Sequence, residues 1–454
     1  MMKGVMKIGG GILKDKKSFG RVVDIIKNKK DDDVVVVLSA LYGVTDYLIE
    51  SVYKVTKDDS EILSRIKELR LKHTKYLDNL KKSVSEKTTK ELDENLKKLE
   101  RYFYGVNYLG YVDEKSYDMI TSFGERLSPL VLSAFLNDAG INNEVFDSEK
   151  AGIVSDGVYA NASVVYKETI SNIRKNVKPV LSSKVVLVTG FYGVDEKGNI
   201  NTFGRGGTDY TAGVVANALD ADYVEIWKDT NGFMTADPKV VENAKKIESM
   251  SYDEAEELGY LGAKILFPKT IAPIRMKKIP AEIKSIFEPE AKGTVIESDG
   301  RKTSQVVKSV ASNSKIAVIH IDDPNMATSS GYVAIVFSAM ADACVEINLI
   351  ATAQTSLSFT IHKQCLEKAL GTLRKIKDIE EKISHYDDVA IIGVIGHGMK
   401  GEIGMAGKIF SCLAENAINI EMISQAANEI NISFVVNAKD EKKAVKAIHK
   451  EFIG

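Results

Sequence analysis

Val5-Met6-Lys7-Ile8-Gly9-Gly10-Gly11 is the stretch on which the fold turns. Val5–Ile8 reads as a short apolar strand, and it runs straight into three glycines. A polar helical stretch follows near Lys17–Asn28, and then Val34–Leu38, a β-branched run without polar alternation. Such a run predicts a strand covered on both faces. Strand, glycine turn, helix and buried strand in succession predict a parallel α/β sheet. Val185–Val188 and Tyr223–Trp227 repeat the pattern, each followed by a glycine-containing loop. Residues 60–105 read as helices instead. Leu63, Ile66, Leu69 and Leu71 fall near helical spacing, as do Leu92, Leu96 and Leu99, with Lys and Glu between them. The Lys-rich stretch Lys81–Arg101 has acids interspersed and predicts a solvated helix face.

The 454 residues predict about three domains. Lys+Arg number 61 against 63 Asp+Glu, a net charge of −2, which argues against a nucleic-acid partner held by a basic surface. No apolar run approaches the ~20 residues that span a bilayer, so no membrane partner is expected. The N-terminus is too poor in apolar residues for a signal peptide. Cys344, Cys365 and Cys412 form neither a disulfide framework nor a CxxC pair, which suits a reducing cytoplasm. The six His show no HxxxH or HExxH spacing, and no GxSxG elbow occurs. Metal and serine hydrolases are poorly supported, and no protein metal ligands are expected.

The C-terminal part contains a duplication. A shift of 73 residues pairs Met326 with Met399, Gly331 with Gly404, Phe337 with Phe410, Ser338 with Ser411, Ile347 with Ile420 and Ile350 with Ile423. Ser358-Phe359 and Ser433-Phe434 pair at a shift of 75. Each copy reads strand, Gly/Met loop, helix, strand, strand. Two copies predict paired α+β modules, since a solenoid needs at least three. The pattern loosens over residues 285–310, which places a domain boundary near 300–310. Gly396-His397-Gly398-Met399-Lys400-Gly401 matches GxGxxG, but it lies inside the repeat and its partner copy lacks the glycines.

Four stretches carry residues suited to chemistry. Beside Gly9, Gly10 and Gly11, Lys7 can neutralise charge on a phosphate that the glycines let approach the backbone, although no GxxxxGK[ST] loop is present. Phe203-Gly204-Arg205-Gly206-Gly207-Thr208-Asp209-Tyr210-Thr211-Ala212 leads into an apolar helix whose start suits an anion. Arg205 is either a bidentate carboxylate clamp or a surface residue, and Asp209 holds a lysine or a metal ion, or merely caps the helix. Lys228-Asp229-Thr230-Asn231-Gly232, with Thr235-Ala236-Asp237-Pro238 beyond, follows a strand end where α/β proteins bind ligands. In Gly124-Glu125-Arg126, Glu125 is either an ammonium partner or a helix N-terminal acid.

Together these residues resemble the aspartate kinase family. Lys7-Ile8-Gly9-Gly10 is similar to its KFGG opening, and Ser39-Ala40-Leu41-Tyr42-Gly43-Val44-Thr45-Asp46 to SA-x-x-GVTN. Gly124-Glu125-Arg126-Leu127-Ser128 matches GERLS, and Gly204–Ala212 resembles GRGGSDYSA. Glu225-Ile226-Trp227-Lys228-Asp229 with Thr235-Ala236-Asp237-Pro238 resembles EIWTDVDG…TADPR. Ser251–Ala255 and Gly262–Pro268 resemble SYxEA and GAKVLHP, and the duplication resembles paired ACT modules.

The resemblance implies an α/β amino-acid-kinase fold over 1–305, with a helical substrate-lobe segment near 60–120, and ACT-like modules over 306–385 and 386–454. It implies ATP-dependent phosphorylation of the L-aspartate β-carboxylate with Mg²⁺. Lys7 and Asp209 would be catalytic. Ser39, Thr45, Glu125 and Arg205 would bind the substrate. Gly9, Gly10, Gly11, Lys228, Asp229, Met234, Lys239 and Lys264 would bind the nucleotide. Met326, Ser329, Gly331, Tyr332 and Asn348 would hold an allosteric amino acid, lysine or threonine, and the modules imply a homodimer or a dimer of dimers. Some positions depart from the family. Gly11-Ile12 stand where Thr-Ser is usual, Leu41 and Tyr42 replace smaller residues, and Lys228, Met234 and Lys239 replace Thr, an aromatic and Arg. Asn348, Ala353 and Gln354 replace Asp, Ser and Glu, which predicts weak or absent lysine inhibition. A kinase of another carboxylate, and an amino-acid sensor with a degenerate kinase domain, are the alternatives.

Overall fold

The computed structural model describes residues 2–261, 265–298, 306–377 and 379–454. The chain divides into two compact units. One comprises Met1–Gly232, Glu248–Tyr252 and Ile265–Gly300; the other comprises Phe233–Ile247, Asp253–Lys264 and Arg301–Gly454. The expected kinase span 1–305 includes Phe233–Ile247 and Asp253–Lys264, which group with the second unit. The reason is visible in the second unit, where Ala236 and Val241 share a core with Val310, Ile392 and Val394, and Val310 N donates to Thr235 O (2.9 Å).

Among the described residues, the first unit holds an eight-stranded sheet ordered β3-β4-β2-β1-β7-β9-β10-β8. Its strands are β1 (Lys3–Ile8), β2 (Asp33–Leu38), β3 (Asn143–Phe146), β4 (Val185–Thr189), β7 (Tyr223–Lys228), β8 (Ser249–Ser251), β9 (Ala281–Ser285) and β10 (Thr294–Glu297); β5 (Tyr192–Val194) and β6 (Ile200–Thr202) form a separate hairpin. From β3 across to β9 all pairings are parallel, and β10 runs antiparallel to β9. Val34–Leu38 are all buried, as expected of a strand covered on both faces. The expected helix near 17–28 is α1 (Lys16–Lys27), started by the Asp15 side chain, which accepts from Ser18 N.

Residues 44–138 form α2 (Val44–Val55), α3 (Ser60–Thr74), α4 (Lys82–Leu109) and α5 (Glu114–Asp138). In α3 the buried stripe is Ile62, Arg65, Leu69 and His73, while Leu63 and Leu71 face solvent. The expected Leu63-to-Leu71 face is thus rotated. The inward Arg65 gives its charge to Glu61 and a hydrogen bond to Ser51, so a charged residue occupies a core position that hydrophobicity alone misses. Helix α6 (Gly207–Leu219) is buried along its whole length.

In the second unit both repeats share a six-stranded antiparallel sheet, β12-β13-β11-β14-β16-β15. Here β11 is Ser309–Asp322, β12 Ile347–Thr352, β13 Ser356–His362, β14 Ile383–Ile395, β15 Met422–Gln425 and β16 Asn431–Asn437. Most of α7 (Tyr252–Tyr260) also belongs to this unit. Helices α8 (Tyr332–Asp342) and α10 (Met405–Glu415) stand 73 residues apart, each capped by a left-handed glycine, Gly331 (φ 84°) and Gly404 (φ 87°). Phe337 meets Phe359 edge-on at 6.1 Å, and Phe410 meets Phe434 at 6.4 Å. Each repeat has a second helix that the sequence reading omitted, α9 (Leu366–Leu373) and α11 (Glu441–Phe452). The expected break at 385/386 falls inside β14, and Val307 and Val310 join the core of the second repeat. In the GxGxxG stretch, a Cβ on Gly396 would lie 2.2 Å from Val306 O, so this glycine serves backbone packing.

Candidate active site

In the parallel sheet β1 lies between β2 and β7, so successive crossovers leave it in opposite directions. Carboxyl ends of strands at such a reversal form a ligand crevice. Lys7 is the penultimate residue of β1, Ser39 follows β2, and Lys228 ends β7.

Lys7 Nζ lies 2.5 Å from Asp209 Oδ1, and Lys228 Nζ lies 3.5 Å from Asp209 Oδ2. The three side chains are 7%, 17% and 6% exposed for Lys7, Lys228 and Asp209. Asp209 stands in the first turn of α6 beyond its N-cap, Gly206, so it is not the cap. Burial alone would raise its carboxyl, but Lys228 and Lys7 hold it below the ordinary value. Burial, reinforced by Lys7, pushes the Lys228 ammonium down against the pull of Asp209. Two ammonium groups share one carboxylate in a dry setting. Ammonium groups held together largely out of water make a receptor for an anion.

The turn after β1 comes close to its neighbours. A Cβ on Gly10 would lie 2.5 Å from Ala40 O, and one on Gly9 would lie 3.2 Å from Lys7 Nζ. Around Gly11 there is open space. Gly206 has φ 74°, and a Cβ there would meet Phe267 Cβ at 2.2 Å. These glycines keep the backbone beside the lysines free of side chains, as phosphate binding requires.

Glu125 lies in the middle of α5, not at a helix start. It is 3% exposed. One oxygen accepts from Ala40 N (3.2 Å), and Oε2 has no partner among the described residues. Burial pushes its carboxyl up to about 8, partly offset by Ala40 N–H and Lys7. An unpaired buried carboxyl oxygen is the receptor a substrate ammonium needs. Gly124, next to it, packs on Ala40 and faces Thr45, where a Cβ would lie 3.7 Å from Thr45 Oγ1. Ser39 O accepts from Ser128 Oγ (2.7 Å), which ties the β2 loop to the same helix.

Arg205 is exposed and has no ion-pair partner among the described residues. Its loop is anchored by Asp118, which the sequence reading missed. Asp118 accepts from Thr202 N, Thr202 Oγ1 and Ala160 N, contacts 84 and 42 residues away that leave no local signature. Asp229 is exposed. Met234 and Lys239 belong to the second unit, and Lys264 lies outside the described residues. In the first repeat, Met326, Ser329, Gly331 and Tyr332 share the loop that enters α8, and Asn348 is exposed on β12. Beneath that loop Asp323 pairs with Lys382 at 2.9 Å.

Fold and site together define an amino acid kinase followed by ACT repeats. A family model for the amino acid kinase family matches residues 2–285, and an ACT domain model matches 323–376 and 392–452. The Saccharomyces cerevisiae aspartokinase is 30% identical over 95% of this chain and 89% of its own length. Chloroplastic aspartokinase 1 of Arabidopsis thaliana is 29% identical over 99% of this chain and 80% of its own. The Clostridium acetobutylicum aspartate kinase structure aligns with TM-score 0.77 at 27% identity, covering 99% of this chain and 100% of that one. E. coli aspartokinase III, solved with aspartate and ADP, shares the fold at TM-score 0.84 and 24% identity, with 99% and 100% coverage. The chain belongs to the aspartate kinase family.

Proposed function

We propose that this chain transfers the γ-phosphoryl group of ATP to the β-carboxylate of L-aspartate, under control of an amino acid bound by its ACT repeats. The observation that carries this is the buried Lys7–Asp209–Lys228 cluster beside a buried carboxyl with one unpaired oxygen, Glu125. The first is a receptor for phosphates, the second for an amine. Glu125 holds the substrate ammonium and Arg205 its α-carboxylate, with Ser39 and Thr45 alongside.

The β-carboxylate is already ionised at neutral pH and needs no base. Its oxygen forms the new bond to the γ-phosphorus, the bond to the bridging oxygen breaks, and ADP leaves with that electron pair. Asp209, saturated by two lysines, orients them and moves no proton. Lys7 and Lys228 neutralise charge that accumulates on the transferring group, which is the main demand of phosphoryl transfer. Gly9, Gly10 and Gly11 leave the phosphates room, and Asp229, Met234, Lys239 and Lys264 are nucleotide contacts on the family pattern. Among the described residues no three His, Cys, Asp or Glu gather as a metal site. Mg²⁺, which the family resemblance implies, would come with ATP and supply further charge neutralisation.

Met326, Ser329, Gly331, Tyr332 and Asn348 form the effector pocket, and lysine inhibits weakly because Asn348 and Gln354 carry no charge for its ammonium. A second copy of the chain is the partner the repeats imply, and Ile335, 57% exposed on α8, suits such a contact. No described helix is long and apolar enough to cross a membrane; three free cysteines suit a cytoplasmic setting.

The test is ADP release from Mg·ATP with and without L-aspartate, with hydroxylamine trapping acyl phosphate as hydroxamate. Aspartate-dependent release matched by hydroxamate is expected. Release that glutamate or acetylglutamate supports instead would point to another carboxylate, and amino-acid binding without turnover would point to a sensor.

A further inference from the structure

We propose that Asp118 is a positioning residue for substrate recognition, holding the Arg205 loop at a set distance from Glu125. Asp118 and Glu125 sit seven residues apart on α5, about 10 Å along the helix axis. Glu125 presents its unpaired oxygen to the site, whereas Asp118 is fully buried and spends its carboxylate on two loops. Oδ2 accepts from Thr202 N (2.8 Å) and Ala160 N (2.9 Å), and Oδ1 accepts from Thr202 Oγ1 (2.8 Å). No Lys, Arg or His pairs with it among the described residues; burial raises its carboxyl above the ordinary value, and the Ala160 and Thr202 donors pull against that rise. Charge-assisted bonds of this kind are stronger and shorter than neutral ones.

What they hold is the approach to Arg205. Thr202 ends β6, and its carbonyl accepts from Ala162 N (2.9 Å). Ala160 adopts φ 60°, a left-handed conformation unfavourable for any residue with a Cβ. Its carbonyl packs where a Cβ on Gly204 (φ 70°) would stand, 2.8 Å away. Thr202, Ala160 and Gly204 thus form one strained corner, and Asp118 grips two of its three members. Arg205 follows that corner directly, and Gly206 then starts α6, which carries Asp209. The exposed guanidinium has no hydrogen-bond or ion-pair partner among the described residues, so its reach toward a substrate carboxylate is set by the corner behind it. Helix α5 acts as a ruler with one mark for the amine and one for the loop that takes the carboxylate.

This rests on the aspartate kinase reading, and the test separates the two. Aspartate and ATP are titrated against wild type, Asp118→Asn and Thr202→Val by calorimetry and by hydroxamate kinetics, with melting temperatures recorded. Asp118→Asn removes the negative charge and leaves one acceptor oxygen for the two N–H groups, with an NH2 in place of the oxygen that accepts from Thr202 Oγ1; Thr202→Val removes one hydroxyl and keeps the shape. The expected result is a KM and Kd for aspartate raised roughly tenfold or more by Asp118→Asn and roughly threefold by Thr202→Val, with the KM for ATP within about twofold of wild type. Equal changes for both substrates, or unchanged aspartate affinity in folded variants, would overturn the proposal. If Asp118→Asn does not fold, Thr202→Val decides alone by the same criterion. A wild type that neither binds nor phosphorylates aspartate would sink the functional reading, and this inference with it.

Discussion

If Glu125 receives the substrate ammonium, as proposed, its ionisation governs how an amino acid is held. With its carboxyl pushed up to about 8 by burial, it carries a proton over most of the physiological range until an ammonium displaces it. The KM for aspartate should therefore fall between pH 6 and pH 8, by no more than about tenfold per unit. The stability effect has the opposite sense. The folded-state value lies above the ordinary 4.5, so the folded chain binds an extra proton between about pH 4.5 and pH 8, and its stability falls as pH rises through that window. The slope is at most about 1.4 kcal/mol per unit. Glu125→Gln should flatten it, melting higher than wild type at pH 8 while its aspartate KM rises roughly thirtyfold or more. A variant that lost stability at pH 8 and kept its aspartate KM would contradict both arguments. Gly11 offers a second test at this scale. Its φ is not left-handed and nothing lies within 4 Å of a Cβ there, so Gly11→Thr should fold normally and return a hydroxyl to the phosphate turn. One transition-state hydrogen bond is worth ~2–4 kcal/mol, so kcat/KM should rise at least roughly tenfold. An unchanged kcat/KM would show that the backbone amide already suffices.

At the scale of elements, α6 shows why a glycine loop and a buried helix occur together. Every residue from Gly207 to Leu219 is buried, so the loop entering it has no spare volume. Gly206→Ala forces a left-handed alanine and drives its methyl into Phe267 Cβ, an atom that cannot move without its backbone. The expected loss is about 2–4 kcal/mol of stability by urea titration, with aspartate turnover lost first because Arg205 and Asp209 flank the site. Elements of this kind were legible where hydrophobicity follows one period. β1, β2, β4 and β7 are near-continuous apolar runs, and the 73-residue shift located both α8 and α10. β9 (Ala281–Ser285), whose inward Ala, Ile and Ser alternate with Glu and Lys, carries too weak a pattern to stand out. In α3 a buried arginine and histidine displaced leucines from the core face. The lysines, Asp209 and Glu125 were readable because each sits in a dense local motif. Asp118 was not, since its partners lie 42 and 84 residues away and only folding reveals them.

At the scale of the whole molecule, the decisive feature is that the Thr235-Ala236-Asp237-Pro238 stretch lies in the compact unit of the ACT repeats. Thr235 is 3% exposed and His449, on α11, is 1% exposed; Thr235 Oγ1 and His449 Nε2 are 2.9 Å apart. The same hydroxyl accepts from Lys245 N (2.9 Å), so its hydrogen is free to point at a neutral imidazole. Burial, with Lys245 adding to it, depresses the His449 pKa and keeps the ring in that form. Since the folded-state value lies below the ordinary 6.5, the stability this contact contributes is complete above about pH 6.5 and is lost as pH falls through the depressed value. A stretch assigned to the nucleotide is thereby fastened to the last helix of the regulatory repeats. His449→Leu leaves the buried Thr235 hydroxyl hydrogen without its acceptor and should cost about 1–3 kcal/mol, whereas His449→Gln keeps a polar partner and should cost less. If that fastening sets the nucleotide stretch, His449→Leu should raise the KM for ATP several-fold and leave the KM for aspartate within about twofold, the reverse of the pattern expected for Asp118→Asn. Steady-state kinetics with each substrate varied in turn measures both. A rise confined to aspartate, or no change in either KM despite a lowered melting temperature, would mean that the 233–247 segment is carried by the regulatory unit without being tuned by it.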